Sequence, residues 1–193
     1  TVAWEVATSA AFTTAVASGT TTTDASRDWT VKVDASGLQP GTRYWYRFKV
    51  GTQTSPVGRA RTLPVGAVSQ ARLAVFSCAH YGAGYFNVYA AAAQRDDLHA
   101  ALHLGDYLYE YGRDGYANEQ AAALGRLALP ATELLTLADY RQRYAQVRAD
   151  ADLQALHAAV PMIAVWDDHE IANDTWRDGA ENHTTATEGA FAD

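Results

Sequence analysis

Apolar and polar side chains alternate in two stretches near the start of the chain, from Trp29 to Val33 and from Tyr44 to Val50. A period of two is typical of a half-buried β-strand, so we predict a strand at each place. Residues 2–7 form a third predicted strand. Between the two alternating stretches, residues 37–42 contain two glycines and a proline, which indicates a turn.

The spacing Leu38-x-Pro40-x-Thr42-x-Tyr44 resembles the corner of a fibronectin type III sandwich, in which a tyrosine near the start of a strand bonds back to upstream backbone. The resemblance covers about residues 2–63, and the first strands of such a sandwich are missing from it. It implies an N-terminal all-β domain over residues 1–66, a truncated β-sandwich that serves packing and docking.

After this region the pattern changes to short apolar runs separated by helical stretches. Residues 63–70 contain Pro64 and Gly66 and indicate a linker. Beyond it we predict strands at residues 73–76, 101–104 and 162–166 and helices at residues 85–95, 137–147 and 152–158. Thr136 and Asp139 match a capping box at the start of the second helix. This order predicts a parallel sheet with right-handed crossovers, so the fold class is α/β plus all-β.

Composition and charge exclude several classes of function. The chain has 193 residues and a formal net charge of −7, and it contains no basic run. Binding of nucleic acid through phosphate neutralisation is therefore not expected. No apolar stretch is long enough for a transmembrane segment, and no signal peptide opens the chain. The single cysteine excludes an internal disulfide and leaves Cys78 as a buried thiol or a metal ligand.

The candidate chemistry lies directly after the predicted strands of the second region. One strand ends in Gly105-Asp106, and Tyr109 follows three residues later. An aspartate just past a strand lies at the edge where open α/β sheets build their sites. Aspartate and tyrosine oxygens suit a hard, trivalent metal such as ferric iron. Residues 111–130 have no clear period and are predicted to form a long loop over this site.

Two further polar clusters follow apolar runs in the same way, Cys78 after the first strand and Asp-Asp-His-Glu at residues 167–170 after the third. The coincidence points to a dinuclear or multinuclear metal hydrolase. Each residue also has a simpler explanation, Cys78 as a small hydrophobe, Asp106 as a turn residue and Tyr109 as packing. The acidic cluster is harder to explain without a cation, because its carboxylates repel one another.

Together these stretches resemble the alkaline phosphatase D (PhoD) family of metallophosphoesterases. The matching segments are Phe-Ser-Cys at residues 76–78, His-Leu-Gly-Asp-Tyr-Leu-Tyr-Glu-Tyr-Gly at residues 103–112 and Val-Trp-Asp-Asp-His-Glu at residues 165–170. Purple acid phosphatases share the Gly-Asp-x-x-Tyr element, but an aspartate stands there in the place of Cys78. The resemblance implies that residues 67–193 are the N-terminal part of a metallophosphoesterase α/β sandwich, which a C-terminal half completes in the parent protein.

The resemblance also implies roles for the first cluster. Cys78 and Tyr109 take the places of the thiolate and phenolate ligands of a ferric ion. Both must lose a proton to bind, and a trivalent cation supplies the field that lowers their pKa values. Asp106 takes the place of a carboxylate that bridges two cations.

For the second cluster, the resemblance implies that Asp168 binds the second metal, which is calcium in this family, with Asn173 as a weaker candidate on the calcium side. His169 is expected to stabilise the phosphoryl transition state or to protonate the leaving group, which makes Asp106 and His169 the implied catalytic residues. The implied reaction is hydrolysis of a phosphate mono- or diester by a metal-bound hydroxide, outside the cytoplasm.

Three alternatives stay open. A phospholipase D-like phosphodiesterase fits the same family, and a degenerate, metal-free binding module fits a chain that lacks half of its site. A hydrolase with Cys78 as nucleophile is disfavoured, because neighbouring acids raise the pKa of a thiol unless a metal is present.

Overall fold

The structure, a computed structural model, describes residues 1–191 and contains one antiparallel and one parallel sheet. The strands are β1 (Val2–Ala7), β2 (Ala15–Thr21), β3 (Arg43–Val50), β4 (Gln53–Thr54), β5 (Gly58–Arg61), β6 (Leu73–Phe76), β7 (Ala100–His103) and β8 (Met162–Ala164). The α-helices are α1 (Asn87–Ala93), α2 (Leu137–Arg148), α3 (Ala151–Ala159) and α4 (Thr185–Glu188).

Strands β1 to β5 form the antiparallel sheet, in the order β2-β1-β3-β4 with β5 also paired to β3. Two of the three predicted N-terminal strands are confirmed, as β1 and β3. Tyr44 is buried at the start of β3, and its hydroxyl accepts a hydrogen bond from the backbone N–H of Gln39 at 2.8 Å. This is the backbone contact that the corner spacing predicts for the tyrosine.

The strand predicted from Trp29 to Val33 is wrong. The chain forms a short 3-10 turn at Ala25–Arg27, and the next two residues, Asp28 and Trp29, are left-handed with φ values of 51° and 55°. Such a pair cannot continue as extended backbone, and the Trp29 N–H bonds to the Asp24 carbonyl at 3.0 Å. The apolar alternation here belongs to a turn, and within residues 1–61 the paired strands form a single sheet.

Strands β6, β7 and β8 form the predicted parallel sheet, in that order. Their register places Phe76 beside His103 and His103 beside Ala164, so the three carboxyl ends are level. The capping box that starts α2 is confirmed, because Thr136 and Asp139 bond to each other's backbone N–H groups. Residues 111–130 contain no helix or strand, in agreement with the predicted loop.

The two faces of the parallel sheet differ in burial. One face packs against the helices in a core with the following buried members: Phe86, Tyr89, Ala101, Leu108, Val147, Leu153, Leu156 and Val160. The opposite face carries Val75, Leu104, Ile163 and Val165, each of which is more than half exposed. The sheet is therefore covered on one side in the part of the chain that the structure describes.

The antiparallel sheet contacts the α/β region through β5 and α3. The Arg59 guanidinium donates to the Ala159 carbonyl at 2.8 Å and to the Asp96 carboxylate at 2.6 Å. Residues 62–72, which connect the two regions, form no helix or strand. Among residues 1–191, every helix is too short or too polar to cross a bilayer.

Candidate metal centre

Two of the predicted ligands lie at left-handed turns just past the ends of adjacent strands. Cys78 follows β6 with φ 57° and Asp106 follows β7 with φ 53°. The Cys78 N–H bonds to the Gly105 carbonyl at 3.2 Å, and the Ala79 N–H bonds to the Asp106 carbonyl at 2.8 Å. Non-glycine residues rarely adopt this conformation, and when they do they often belong to functional sites. The two turns thus hold each other and aim both side chains to the same edge.

Gly105 brings the third strand end against the second. Its φ is +107°, and a Cβ atom there would lie 2.4 Å from the Cβ of Asp167. No side chain fits that gap, so the turn after β7 and the segment after β8 approach as closely as two backbones can. This approach carries Asp168 and His169 up to Asp106.

Asp106, Asp168 and His169 form a cluster whose candidate ligand atoms all lie within 4.8 Å of one another. Asp106 is buried; its Oδ2 accepts a bond from the Tyr109 hydroxyl at 3.3 Å, while its Oδ1 has no hydrogen-bond partner among residues 1–191. A buried carboxylate oxygen left without a partner is costly, and a cation is the partner that would satisfy it. The donor set therefore fits a hard metal ion.

Tyr109 lies beside both Asp106 and Cys78. Burial, together with the negative charges of these two neighbours, raises the pKa of Tyr109 above its ordinary value. Without a cation the phenol therefore stays protonated and donates to Asp106. A bound trivalent ion would instead favour the phenolate, because its positive charge stabilises the anion. Cys78 is exposed, so the explanation of this cysteine as a buried hydrophobe is wrong.

Glu170, for which the sequence predicts no role, links the segment after β7 to the segment after β8. Its carboxylate accepts backbone bonds from Asp106 at 3.0 Å, from Tyr107 at 2.5 Å and from Asp167 at 2.7 Å. The segments that follow β7 and β8 are thus joined by one side chain. The only sign of this role in the sequence is a glutamate at the end of the Asp-Asp-His-Glu cluster, residues 167–170.

Glu110 makes the reciprocal contact: it lies in the segment after β7 and contacts the segment after β8. Its side chain is 1% exposed, lies within hydrogen-bond distance of His169 Nδ1 at 2.8 Å, and accepts from the Asn173 backbone N–H at 2.7 Å and from Asn182 Nδ2 at 2.8 Å. It was not predicted either, although an acid between aromatic residues is expensive to bury without partners. Each of the two segments therefore contributes one glutamate that hydrogen-bonds to the other segment.

Arg143 of α2 anchors the loop that follows the first motif. Its guanidinium donates to the carbonyls of Tyr109, Tyr111 (3.0 Å) and Leu129 (2.9 Å). Burial lowers the pKa of Arg143 to about 10, against the opposing charge of Glu110, so it stays a cation at neutral pH. Helix α2 thus fixes the loop beside the site through the hydrogen bonds of Arg143.

His169 is buried, and its ring lies against that of Tyr109 with centroids 4.1 Å apart. Burial opposes the charged ring, but the hydrogen bond and charge of Glu110, with the charges of Asp168 and Asp106, raise the pKa of His169 above its ordinary value. Asn173 differs: its side chain donates to Glu181 and, in the described residues, makes no hydrogen bond to Asp106 or Asp168. Five predicted site residues are brought together, and Asn173 lies at their margin.

Comparison with known proteins gives consistent matches over nearly the whole chain. The family model described as PhoD-like phosphatase matches residues 73–193, and the one described as PhoD-like phosphatase, N-terminal domain, matches residues 1–64. The chain is 45% identical over 175 residues to alkaline phosphatase D of Bacillus subtilis (strain 168), a match that covers 89% of this chain. A solved structure described as "Structure of PhoD" superimposes with a TM-score of 0.89 at 40% identity and covers 96% of this chain.

The chain spans only part of these relatives. It covers 29% of the length of the Bacillus subtilis protein and 35% of the solved chain.

Proposed function

This chain belongs to the PhoD-like phosphatase family, and on that premise we propose that it carries part of the active site of a phosphoric ester hydrolase. The observation that carries the proposal is the meeting of Asp106, Asp168 and His169 at adjacent strand ends, with one buried Asp106 oxygen that has no hydrogen-bond partner in the described part of the chain. The name of the Bacillus subtilis relative supports a phosphatase activity. The substrate we propose is a phosphate mono- or diester.

We assign a ferric ion to Cys78, Asp106 and Tyr109. The support is chemical, because thiolate, carboxylate and phenolate are anionic donors and the protonated phenol otherwise crowds two acids. Asp106 is proposed to bridge, since its two oxygens have different surroundings, one bonded to Tyr109 and the other free. Bound there, cations would activate water and neutralise the charge on phosphoryl oxygens.

The second cation is proposed to be calcium, held by Asp168 with Asn173 at the margin. Carboxylate and amide oxygens are the donors that calcium prefers. The Asp168 side chain is already oriented by the Asp174 N–H at 2.5 Å. His169, which belongs to the same cluster and has Nδ1 2.8 Å from Glu110, is proposed to face the phosphoryl group and to protonate the leaving oxygen.

We further propose that residues 1–66 are a fibronectin type III-like domain and that residues 67–193 are the N-terminal part of the catalytic domain. Support for a continuing catalytic domain comes from the share of the relatives that the chain covers and from the exposed apolar face of the parallel sheet, which includes Val75 and Ile163. Action outside the cytoplasm is part of the same proposal and follows from the family resemblance alone.

The test is hydrolysis by the full-length protein. Nitrophenyl phosphate and bis(nitrophenyl) phosphate would be compared before chelation, after chelation and after iron and calcium are returned, with elemental analysis of the active form. We expect metal-dependent turnover of at least one ester. Turnover of the diester alone would favour the phospholipase D-like alternative, and metal-independent turnover or none would contradict the proposal.

A further inference from the structure

We propose that Glu110 is a positioning residue that fixes His169 in the tautomer protonated at Nδ1 and so presents Nε2 to the reacting phosphate ester. The role of His169 in ester hydrolysis rests on the proposed function; the tautomer itself does not. No contact of Glu110 with a substrate or metal is required.

The hydrogen bonds around Glu110 leave its two oxygens with different tasks. Oε1 accepts from two donors that cannot reverse their role, the Asn173 backbone N–H at 2.7 Å and the Asn182 amide at 2.8 Å. Oε2 lies 2.8 Å from Nδ1 of His169. A carboxyl group that already accepts from two N–H donors acts as the acceptor towards the ring as well, so we place the hydrogen of this contact on Nδ1.

Burial makes this arrangement rigid. The Glu110 side chain is 1% exposed and that of His169 is 11% exposed, so water does not compete for the bond. The Tyr109 ring, with its centroid 4.1 Å from that of His169, limits rotation of the imidazole. Because Nδ1 is bonded to Glu110, Nε2 is the ring nitrogen that is available to a ligand bound near Asp106 and Asp168.

The consequence for the reaction is a defined path for one proton. As hydroxide forms a new bond to phosphorus, the ester P–O bond breaks and its electron pair goes to the leaving oxygen, which takes the proton from Nε2 of the protonated ring. The ring is left neutral, with its Nδ1 hydrogen still on Glu110. In the other tautomer the Nδ1 lone pair would face the Glu110 oxygen, so two acceptors would meet with no hydrogen between them and the bond would be lost.

Glu110→Gln tests the idea with little change of shape. The glutamine oxygen can keep the Asn173 and Asn182 bonds, which turns its NH₂ group towards Nδ1 and forces that nitrogen to accept. Glu133→Gln is the matched control, because Glu133 also accepts from Asn182, at 2.6 Å, and in the described residues makes no hydrogen bond to His169. Both changes remove one carboxylate from the same neighbourhood.

The experiment is long-range proton–nitrogen NMR on the metal-free full-length protein labelled with ¹⁵N-histidine, with the His169 signals assigned by their loss in His169→Ala. We expect a proton on Nδ1 in the parent and in Glu133→Gln, and a shift to the Nε2-protonated form in Glu110→Gln. A proton on Nε2 in the parent overturns the proposal, and this measurement needs no variant that has to fold. An unchanged tautomer in a folded Glu110→Gln protein overturns it as well.

Kinetics on the metal-loaded full-length protein supply the second arm. We expect Glu110→Gln to lower kcat for an alkyl phosphate by about 10–100-fold with little change in KM or metal content, and Glu133→Gln to resemble the parent. An unchanged kcat in Glu110→Gln overturns the positioning role. A parent that hydrolyses no ester sinks the proposed function, while the NMR result still decides the tautomer.

Discussion

The two halves of the candidate site are built in different ways. Cys78, Asp106 and Tyr109 owe their placement to local backbone, with two left-handed turns and a tyrosine three residues beyond the aspartate. Asp168 and His169 depend on distant side chains, since His169 is held by a glutamate 59 residues away in the sequence. The first half is positioned mainly by backbone turns at two strand ends, and the second by side chains from elsewhere in the fold.

The halves also differ in charge. Around Tyr109 the neighbours are acids, and burial with their charges raises the pKa of the phenol. Around His169 the charges of Glu110, Asp168 and Asp106 meet a ring that can itself carry a positive charge. We infer that the first half depends on a bound cation for its charge balance, whereas the second half keeps its geometry without one.

The largest effect is expected for Asp106→Asn, which removes the charge shared by both halves while keeping the size of the side chain. We expect loss of iron and calcium together and a fall in activity of at least about 10⁴-fold, the upper end for loss of a single catalytic group. Metal analysis and nitrophenyl phosphate turnover measure both. Asp34→Asn, at an exposed position, is the control; equal metal content in the two variants would remove Asp106 from the metal ligands.

His169→Ala tests the second half alone. We expect metal content close to that of the parent and a chemical step slower by about 10²–10⁴, as for other lost general acids. The deficit should shrink for nitrophenolate, which leaves without protonation, and be complete for an alkyl alcohol. Equal deficits for both leaving groups would instead assign His169 to charge stabilisation, and loss of metal would place it among the ligands.

Tyr109→Phe tests the first half. Phenolate bound to ferric iron should give a charge-transfer absorption in the visible, and the variant should lose this band while Tyr116→Phe, at a mostly exposed position, keeps it. Activity should fall less than in His169→Ala, because Cys78 and Asp106 still bind. A colourless, iron-free parent would show that the ferric assignment is wrong.

Local signals explain why part of this molecule could be predicted from its sequence. The capping box at Thr136 and the short apolar runs of β6 and β7 are encoded within a few residues, and the structure has them where they were expected. The prediction of a strand at Trp29 is wrong for a reason that is also local. The left-handed residues Asp28 and Trp29 end the extended backbone despite the apolar alternation that follows. Nothing in the alternation itself distinguishes the two outcomes.

The glutamates of the site could not be predicted in this way. Glu110 and Glu170 each accept bonds from residues about 60 positions away, and only the register of the parallel strands brings those donors within reach. Asp106, by contrast, follows a strand and a glycine, a pattern that can be recognised without the fold. The metal-ligating candidates were thus accessible from sequence, and the side chains that orient them were not.

The smallest effect is expected for Glu170→Gln, which loosens the joint between the halves without removing a proposed ligand. Glutamine offers one oxygen to the three backbone N–H groups of Asp106, Tyr107 and Asp167, and its amide group opposes at least one of them. We expect the free energy of unfolding of the full-length protein to fall by about 1–3 kcal/mol, the cost of a buried donor left unpaired, as measured by urea titration. Glu119→Gln, at an exposed position in the loop, is the control. Because Glu170 contacts the segments after both β7 and β8, the variant should also bind iron and calcium more weakly, and to a similar extent. Weaker calcium binding with unchanged iron binding would mean that Glu170 supports the second half only. Equal urea midpoints for the two variants would show that the Glu170 hydrogen bonds do not stabilise the two strand ends.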